Sequence, residues 1–282
     1  MNNMKNFDVK TVDGFGDEWE RFDQSQLDFS EHILLFNKYF NIFPWNLLPE
    51  NSVGFDMGCG SGRWAKIVAD RVDTLHCLDP SSALFIAQKN LSDKQNCIFH
   101  NCGVGDYILP INSMDFGYSL GVLHHVPNTQ SGIDECVSFL KPGAPFLIYL
   151  YYSFDNRPLW FFMLWKLSDV IRKFISKLPH SPRYVVSQLM ALFIYLPLAK
   201  FSWLLKLIGF NDKFCDTLPL GTYRNLSFYT MRTDALDRFG TQLEQRFSRA
   251  EVESMLKKAG LVDIKFSNQI PYWCAVGFKA RT

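Results

Sequence analysis

The stretch VGFDMGCGSGRWA, residues 53–65, carries the most information about the fold, because three glycines within five residues follow a short apolar run. A short apolar run of this kind indicates a buried strand. Asp56, Gly58, Gly60 and Gly62 form the pattern D-x-G-x-G-x-G, which predicts a tight turn into a helix. A ligand can lie against the backbone of such a turn at a helix N-terminus. The stretch therefore predicts a strand, a ligand-binding loop and a helix.

Similar apolar runs alternate with helix-like stretches from about residue 51 to 153. The runs are SVGFDMG, DTLHCLD, MDFGYSLG and APFLIYLYY. This alternation predicts an α/β fold with a mostly parallel sheet and helices on both faces. Near the chain end, Ser248 and Glu251 have the spacing of a capping box, and a helix to Gly260 precedes two strand-like runs. We expect these two runs to form an antiparallel hairpin that completes the sheet.

These patterns divide the chain into four segments. They are an N-terminal cap or lid at 1–50, a Rossmann-like cofactor-binding core at 51–153, a helical insertion at 154–247 and a C-terminal helix with a β-hairpin at 248–282. The insertion is rich in long, aromatic helical patterns, which predicts a cap over the substrate.

Composition excludes several classes of protein. The 29 Lys+Arg and 28 Asp+Glu leave a net charge of +1, which argues against a dedicated nucleic-acid binder. The seven cysteines are an odd number without a Cys-x-x-Cys pair, so we expect neither a disulfide framework nor a metal site. The polar first residues lack the apolar segment of a secretion signal, and we expect a cytoplasmic protein.

Two ligand classes fit a glycine loop after a first strand. A dinucleotide fingerprint needs glycine where this chain has Arg63. Asp79, at the end of the next predicted strand, suits the ribose hydroxyls of either class. Asp56 beside the loop would repel a pyrophosphate but favours a ligand that carries an ammonium and a sulfonium.

The segments FDMGCGSG, LDPS and LPINSMDFGYSLGVLHHVPN resemble those of the class I S-adenosylmethionine-dependent methyltransferases. The resemblance is to the small-molecule branch that includes the ubiquinone and menaquinone biosynthesis enzymes. It implies a seven-stranded sheet of order 3-2-1-4-5-7-6. It also implies S-adenosylmethionine as cofactor and S-adenosylhomocysteine as product.

The same resemblance implies which residues hold the cofactor. Those for the methionine portion are Asp56, Gly58, Cys59 and Gly60, and those for the ribose are Asp79 with Pro80. The adenine segment NCGVGDYILP departs from the usual family length, and its contact is Gly103 with Val104, or Gly105 with Asp106; we favour the former. Ser119, Leu120 and His124 follow the fourth strand and are expected to close over the sulfur.

The predicted proton acceptors are His124, His125 and Tyr152, with His124 first, although either histidine could be purely structural. In the segment FGDEWERF, Phe15, Trp19 and Phe22 share one helical stripe, which predicts a lid or the buried face of the helix. Further candidates for the acceptor site lie in the insertion, where the alternative is an ion-paired surface. They are Tyr223, Arg224, Tyr229, Arg232 and Asp234.

We therefore expect methyl transfer to an oxygen or nitrogen of a small or lipid-linked metabolite. Nucleobase-methylating relatives carry Asn or Asp followed by Pro-Pro and an aromatic residue, which this chain lacks after the fourth strand. The alternatives are a non-catalytic S-adenosylmethionine-binding protein and an NAD(P)-binding oxidoreductase. Residues 155–213 hold more bases than acids, and Pro197 and Lys200 interrupt the longest apolar run. This pattern argues against a membrane span but leaves open a buried cap or a peripheral membrane contact.

Overall fold

The fold comes from a computed structural model, which describes residues 6–281. The first five residues of the predicted N-terminal segment, and Thr282 of the predicted C-terminal one, lie outside these described residues.

Seven strands form one sheet. They are β1 Val53–Met57, β2 Thr74–Leu78, β3 Cys97–His100, β4 Phe116–Leu120, β5 Pro145–Tyr149, β6 Leu261–Phe266 and β7 Cys274–Lys279. Their order is β3-β2-β1-β4-β5-β7-β6. Strands β1 to β5 run parallel, and β7 is antiparallel to both β5 and β6. The predicted sheet order and terminal hairpin are confirmed.

The direction in which strands are added reverses at β1. Strand β1 pairs with β2 on one side and with β4 on the other, so that Asp56 is opposite both Cys77 and Tyr118. Open parallel sheets bind ligands in the crevice beyond the carboxyl ends of the strands at such a reversal. The glycine loop lies at this point.

The chain packs as two compact units. The larger comprises 1–24, 33–155 and 243–282, and the smaller comprises 25–32 and 156–242. The predicted insertion at 154–247 has nearly the same bounds as the second segment of the smaller unit, 156–242. The sequence pattern did not indicate that residues 25–32 also belong to the smaller unit.

The larger unit carries helices on both faces of the sheet. They are α1 Val9–Arg21, most of α2 Phe29–Phe40, α3 Ala65–Val68, α4 Ala83–Asn90, α5 Thr129–Phe139 and α11 Arg249–Lys258. Helix α1 begins where the Asp8 side chain accepts a hydrogen bond from the Thr11 amide. Helix α11 begins with both hydrogen bonds of the predicted capping box between Ser248 and Glu251.

Both faces of the sheet are packed with large aromatic side chains, which explains the apolar runs in the sequence. Phe55, Phe139 and Phe146 pack on one face. Phe116 and Tyr118 belong to the core on the other face. Because each face of a parallel sheet is covered by helices, its central strands are apolar along their whole length.

The smaller unit is helical. Its helices are α6 Leu159–Ile175, α7 His180–Met190, α8 Leu196–Leu207, α9 Asp212–Cys215 and α10 Phe228–Gly240. A π-helical turn at Ala191–Tyr195 joins α7 to α8, so that His180–Leu207 is one continuous helix. Pro197 cannot donate a backbone hydrogen bond, and the wider turn before it accommodates the ring without ending the helix.

This long helix is the one candidate membrane span among the described residues, by length and composition alone. Only 28% of its most apolar window is buried within the protein.

Candidate functional site

The glycine loop after β1 has the conformation that its sequence predicts. Gly58, Gly60 and Gly62 have φ of +82°, +52° and +76°, a region that residues with a Cβ rarely adopt. The Leu78 carbonyl accepts hydrogen bonds from the amides of Gly58 at 2.8 Å and Cys59 at 3.0 Å. The end of β2 therefore holds the loop.

A Cβ added to each glycine of the loop would meet a different neighbour. A Cβ on Gly58 would lie 2.4 Å from Val122, and one on Gly62 would lie 2.8 Å from Leu91. These two glycines let neighbouring side chains pack closely. A Cβ on Gly60 would lie 2.9 Å from Nε1 of Trp19, so the bare backbone of Gly60 faces the indole of α1.

Two buried acids border the loop. Asp79 accepts hydrogen bonds from the Gly60 amide at 2.8 Å, the Ser81 amide at 2.9 Å and the Ser81 hydroxyl at 2.6 Å. Asp56 is almost fully buried, and its Oδ2 has no hydrogen-bond partner within residues 6–281. Tyr118 lies close to it, but its hydroxyl does not reach hydrogen-bonding geometry.

Burial controls the ionisation of both acids. It raises the pKa of Asp56 well above its usual value, although the Tyr118 hydroxyl opposes the rise. It also raises the pKa of Asp79, against the hydrogen bonds from Ser81 and Gly60. A bound cation would favour the charged form of each acid. The site therefore fits a ligand with positive groups. Asp79 also retains lone pairs that can accept hydrogen bonds from ribose hydroxyls.

Cys59 lies in the same loop. Its neighbour Cys77 lowers the pKa of the thiol, but burial together with the nearby Asp79 and Asp56 outweighs that effect and raises the pKa to about 11. The thiol is therefore protonated at neutral pH, and the backbone of Cys59 is the part that can contact a ligand.

Helix α1 lies over the carboxyl ends of the strands. A Cβ on Gly16 would lie 2.5 Å from the hydroxyl oxygen of Ser82, and that hydroxyl donates to Glu20 at 2.9 Å. The Phe15 ring lies 5.0 Å from the ring of His125. Together with Trp19 at Gly60, these contacts place α1 across the loops that follow β1, β2 and β4. The predicted lid segment thus lies at the glycine loop.

The predicted ribose and adenine segments are neighbours. A Cβ on Gly103 would lie 3.4 Å from Pro80, which follows Asp79. Val104 is buried, whereas the amide of Gly105 is bonded to Glu135. The position of Gly103 beside Pro80 supports the choice of Gly103 with Val104, which stays a prediction.

Ser119 and Leu120 end β4 and are buried. The Ser119 hydroxyl donates to the Met57 carbonyl at 2.9 Å and so ties β4 to β1. With this hydroxyl engaged inside the sheet, contact with a ligand would come from the backbone.

His124 lies in a 3₁₀ turn after β4, two residues beyond the Val122 that packs against Gly58. Its side chain is fully buried, and neither ring nitrogen has a hydrogen-bond partner among the described residues. Burial lowers the pKa of His124 well below its usual value, and His125 and Arg246 add to this. The imidazole is therefore neutral at pH 7.

His125 differs from its neighbour in its contacts. Its Nδ1 is 2.7 Å from the carbonyl oxygen of Leu243, and its ring contacts Phe15 of α1. This bond favours the tautomer with the proton on Nδ1. His125 is thus held in place by the backbone, as expected of a structural or positioning residue.

Tyr151, and not the predicted Tyr152, lies against His124. The rings of Tyr151 and His124 stack at 3.9 Å, whereas the Tyr152 ring packs near Phe154 and Tyr272. Consecutive residues of an extended chain point to opposite sides, which explains why Tyr151 contacts His124 and Tyr152 does not. Tyr151 is thus a further candidate after β5, and the role of Tyr152 as proton acceptor stays a prediction.

Sequence reasoning also missed Arg246. Its guanidinium lies 5.0 Å from the Tyr151 ring, and its Nε donates to Glu244 at 2.7 Å. A bridge between Tyr152 and Phe247 brings this segment to the end of β5. The only local signal is its position just before the capping box, which does not indicate a partner so distant in the chain.

The predicted acceptor-binding residues lie in different units. Trp19 and Phe22 belong to the larger unit, where Trp19 faces Gly60 and Phe22 is fully buried. In the smaller unit, the Tyr223 hydroxyl donates to Asp234 at 2.8 Å. These two side chains are thus hydrogen-bonded to each other, and their role toward an acceptor stays a prediction.

The two arginines of this set also have partners inside the smaller unit. Arg224 bonds to Asp212 at 2.9 Å and to Asp216 at 2.5 Å. Arg232 donates to Gln188 at 2.6 Å and to the Tyr184 hydroxyl at 2.8 Å. Tyr229 is half-buried, and its carbonyl accepts from the Thr233 hydroxyl at 3.1 Å. The bonds of Arg232 connect α10 to α7, whereas the bond of Tyr229 lies within α10.

Comparison with known proteins agrees with this geometry. Residues 55–148 match the family model described as "Methyltransferase domain". Comparison with curated protein sequences found no match. Within residues 6–281, no group of three or more His, Cys, Asp or Glu is arranged to hold a metal ion.

Two solved structures are similar in fold. An O-methyltransferase family protein from Burkholderia thailandensis is 12% identical over 93% of this chain and 59% of its own, with a TM-score of 0.55. A chain in the complex of the Haloferax volcanii Trm112 methyltransferase activator with a methyltransferase is 13% identical over 95% of this chain and 98% of its own, with a TM-score of 0.51. At such identities the likeness shows the fold.

Proposed function

We propose that this chain, whose residues 55–148 match a methyltransferase domain, is a class I S-adenosylmethionine-dependent enzyme that methylates an oxygen or nitrogen of a small or lipid-linked metabolite. The bound cofactor supplies an electrophilic methyl group on a positively charged sulfur. Asp56, Gly58, Cys59 and Gly60 would hold its methionine portion, and Asp79 its ribose.

The observation that carries the proposal is the buried, neutral imidazole of His124, whose two nitrogens have no hydrogen-bond partner among residues 6–281. A buried polar atom without a partner costs free energy, and such atoms in native proteins call for an explanation. A group that accepts a proton from the substrate explains this one. An O–H or N–H acceptor has such a proton to lose, which favours oxygen or nitrogen as the methylated atom.

The residues around His124 support a direct displacement. S-adenosylmethionine, when bound, would supply the methyl group for this displacement, with the neutral sulfide as the leaving group. The acceptor's O–H or N–H becomes strongly acidic as the new bond forms, so a weak base such as His124 can take the proton. Tyr151 stacks on the imidazole and holds its orientation.

Helix α1 supports a small acceptor. With α1 across the strand ends, Phe15 at His125 and Trp19 at Gly60 cover the site. Such cover excludes water from the reacting atoms and leaves little room for a macromolecule at the reacting end of the site. We therefore propose no nucleic-acid substrate.

The seven cysteines are all free thiols, which supports the proposal of a reducing, cytoplasmic location.

Transfer of a labelled methyl group from S-adenosylmethionine to components of a cell extract tests this function. We expect label in small molecules that separate into the aqueous or the organic phase, and none in nucleic acid or protein. A purified chain that binds the cofactor but labels nothing would support the non-catalytic alternative. Label confined to macromolecules would contradict the proposed acceptor class.

Asp56→Asn is expected to stabilise the free protein and to weaken cofactor binding. A carboxyl whose folded pKa is raised contributes stability below its unfolded pKa and loses it as pH rises through the folded value. At pH 7 the neutral amide avoids that loss, so Tm should rise. The amide also removes a negative charge near the cofactor's positive groups, so Kd should rise.

Thermal unfolding at pH 5 and pH 8, with and without S-adenosylmethionine, measures both effects. The wild-type protein should lose stability relative to the variant as pH rises. Asp93→Asn is the matched control, because Asp93 is well exposed beside Lys94 and should change neither quantity. A lower Tm of the Asp56 variant at both pH values would contradict the assignment.

A further inference from the structure

Two helices of the smaller unit expose their apolar sides. In α6 and in the helix His180–Leu207, large apolar side chains are exposed along the whole length, with Leu159, Phe174 and Phe193 the most accessible. We call this surface the lysine-apolar face. Large apolar side chains exposed in such number on a folded protein mark an interaction surface.

The buried side of His180–Leu207 is narrow and made mainly of small residues. Ser187, Ala191, Tyr195 and Ala199 recur every four residues and are buried. The remaining surface of the helix is exposed and predominantly apolar. A helix of a soluble protein normally buries its apolar stripe and exposes polar residues, so this helix has the opposite arrangement.

The exposed charges within residues 158–210 are positive, and Lys206 among them pairs with Asp212 just beyond this range. Within residues 158–210, all of which the structure describes, no exposed side chain is acidic. The exposed charged residues are Lys166, Lys173, Lys177, Lys200 and Lys206. Asp169 is only partly accessible and pairs with Arg172 and Lys173. The face therefore combines apolar side chains with positive charge.

We propose that the lysine-apolar face binds the surface of an anionic lipid bilayer. Apolar side chains inserted at the boundary between headgroups and acyl chains, with lysines directed at anionic headgroups, are the two features of an interfacial helix. Trp160 and Trp203 are exposed on the face, and tryptophan favours this boundary. The proposal stands independently of methyl transfer.

Charge disfavours a second copy of the chain as the occupant. In a two-fold interface the same face meets itself, so Lys166, Lys177 and Lys200 of one copy would approach those of the other. The nearby acids Asp169 and Asp212 already pair with Lys173 and Lys206. An anionic bilayer offers both the apolar and the negative complement.

Contacts within the unit favour a helix that lies on the bilayer over one that crosses it. Arg183 is buried near the start of the helix and donates to the Gly240 carbonyl at 3.2 Å. The Arg232 guanidinium bonds to Gln188 and Tyr184 of the same helix. A crossing helix would have to give up these polar contacts inside the hydrocarbon, which is costly.

Vesicle flotation of the full-length chain tests the proposal. We expect binding to phosphatidylcholine vesicles that contain phosphatidylglycerol, weaker binding to phosphatidylcholine alone, and loss of the difference at high salt, since the Debye length shortens to about 3 Å at 1 M. Phe193→Ser should weaken binding by about tenfold, and Lys166→Glu with Lys200→Glu should remove the preference for anionic lipid.

Phe85→Ser is the matched control. Phe85 on α4 is 67% exposed and Phe193 is 69% exposed, but Phe85 lies in the other unit, outside the lysine-apolar face. The control should bind vesicles like the wild-type protein. Equal losses in both serine variants, or no binding by the wild-type protein, would overturn the proposal. Cofactor affinity, measured on each variant, shows that the larger unit is still folded.

Two further measurements exclude the other occupants. Alkaline carbonate should release the protein from vesicles, whereas retention would show a crossing helix and overturn surface binding. Sedimentation without lipid should give the same mass for wild type and Phe193→Ser. A dimer that this substitution dissociates would show that the face serves self-association instead.

Discussion

His124→Phe is expected to lower kcat by about 100-fold or more, in line with the usual contribution of a positioned base, while leaving the protein at least as stable. The two expectations come from the same geometry. Phenylalanine keeps the ring that stacks on Tyr151 at 3.9 Å and removes two buried nitrogens that have no described partner. A purely structural histidine would give the opposite pattern, with unchanged kcat.

The pH dependence of stability distinguishes the variant further. The folded pKa of His124 is depressed, so its neutral ring contributes stability above the unfolded pKa, and this is lost as pH falls through the folded value. We expect wild-type Tm to fall more steeply below about pH 6.5, the ordinary histidine pKa, than that of His124→Phe. Thermal unfolding from pH 4.5 to 8 measures the difference.

His125→Phe is the matched control, since it makes the same substitution one residue further along. It removes the bond between Nδ1 and the Leu243 carbonyl, so it should lower Tm. Its kcat should fall less than that of His124→Phe when both are assayed with S-adenosylmethionine and the acceptor found in the extract screen. A larger loss of kcat at His125 would transfer the role of base to that residue.

Local patterns predicted the parts of the molecule that are set by neighbouring residues. The glycine loop follows β1 because positive φ at Gly58, Gly60 and Gly62 needs no partner elsewhere in the chain. The capping box of Ser248 with Glu251 is likewise contained within one helical turn. The order of the strands came from the resemblance, because alternation alone predicts a parallel sheet but not its order.

Contacts between distant segments could not be predicted in this way. Nothing in the residues near Tyr151 indicates that Arg246 lies over its ring, since the two are brought together by the bridge of Tyr152 with Phe247. The stretch around Arg224 is dense in charge, but density does not show that Asp212 and Asp216 use those charges internally. Partner identity is a property of the tertiary fold.

For α1, the sequence left two alternatives. The stripe of Phe15, Trp19 and Phe22 was expected to form either a lid or a buried face. Phe22 is buried, whereas Trp19 and Phe15 are half-buried against Gly60 and His125. The buried face is therefore observed for Phe22, and the role of the helix as a lid stays a prediction.

Asp79→Asn is expected to raise the Kd for S-adenosylmethionine by about tenfold or more, because hydrogen bonds to a charged group contribute about 1.5 to 3 kcal/mol. The carboxylate also accepts bonds from Gly60 and Ser81, so a loosened loop could weaken binding without any contact to the ribose. Ser81→Ala removes the hydroxyl brace and leaves the carboxylate in place. Calorimetry should show a smaller effect for this control than for Asp79→Asn.

Methylthioadenosine separates the two roles of Asp79, because it keeps the ribose and adenine of the cofactor but lacks the amino acid portion that the glycine loop holds. If Asp79 binds the ribose, Asp79→Asn weakens methylthioadenosine and S-adenosylmethionine by the same factor. If it acts only by bracing Gly60, the loss appears with S-adenosylmethionine and is absent with the shorter ligand. Equal affinity of wild type and variant for both ligands would exclude either role. NAD, added as a third ligand, should bind to neither protein, because Asp56 beside the loop disfavours a pyrophosphate and Arg63 stands where the dinucleotide turn needs glycine.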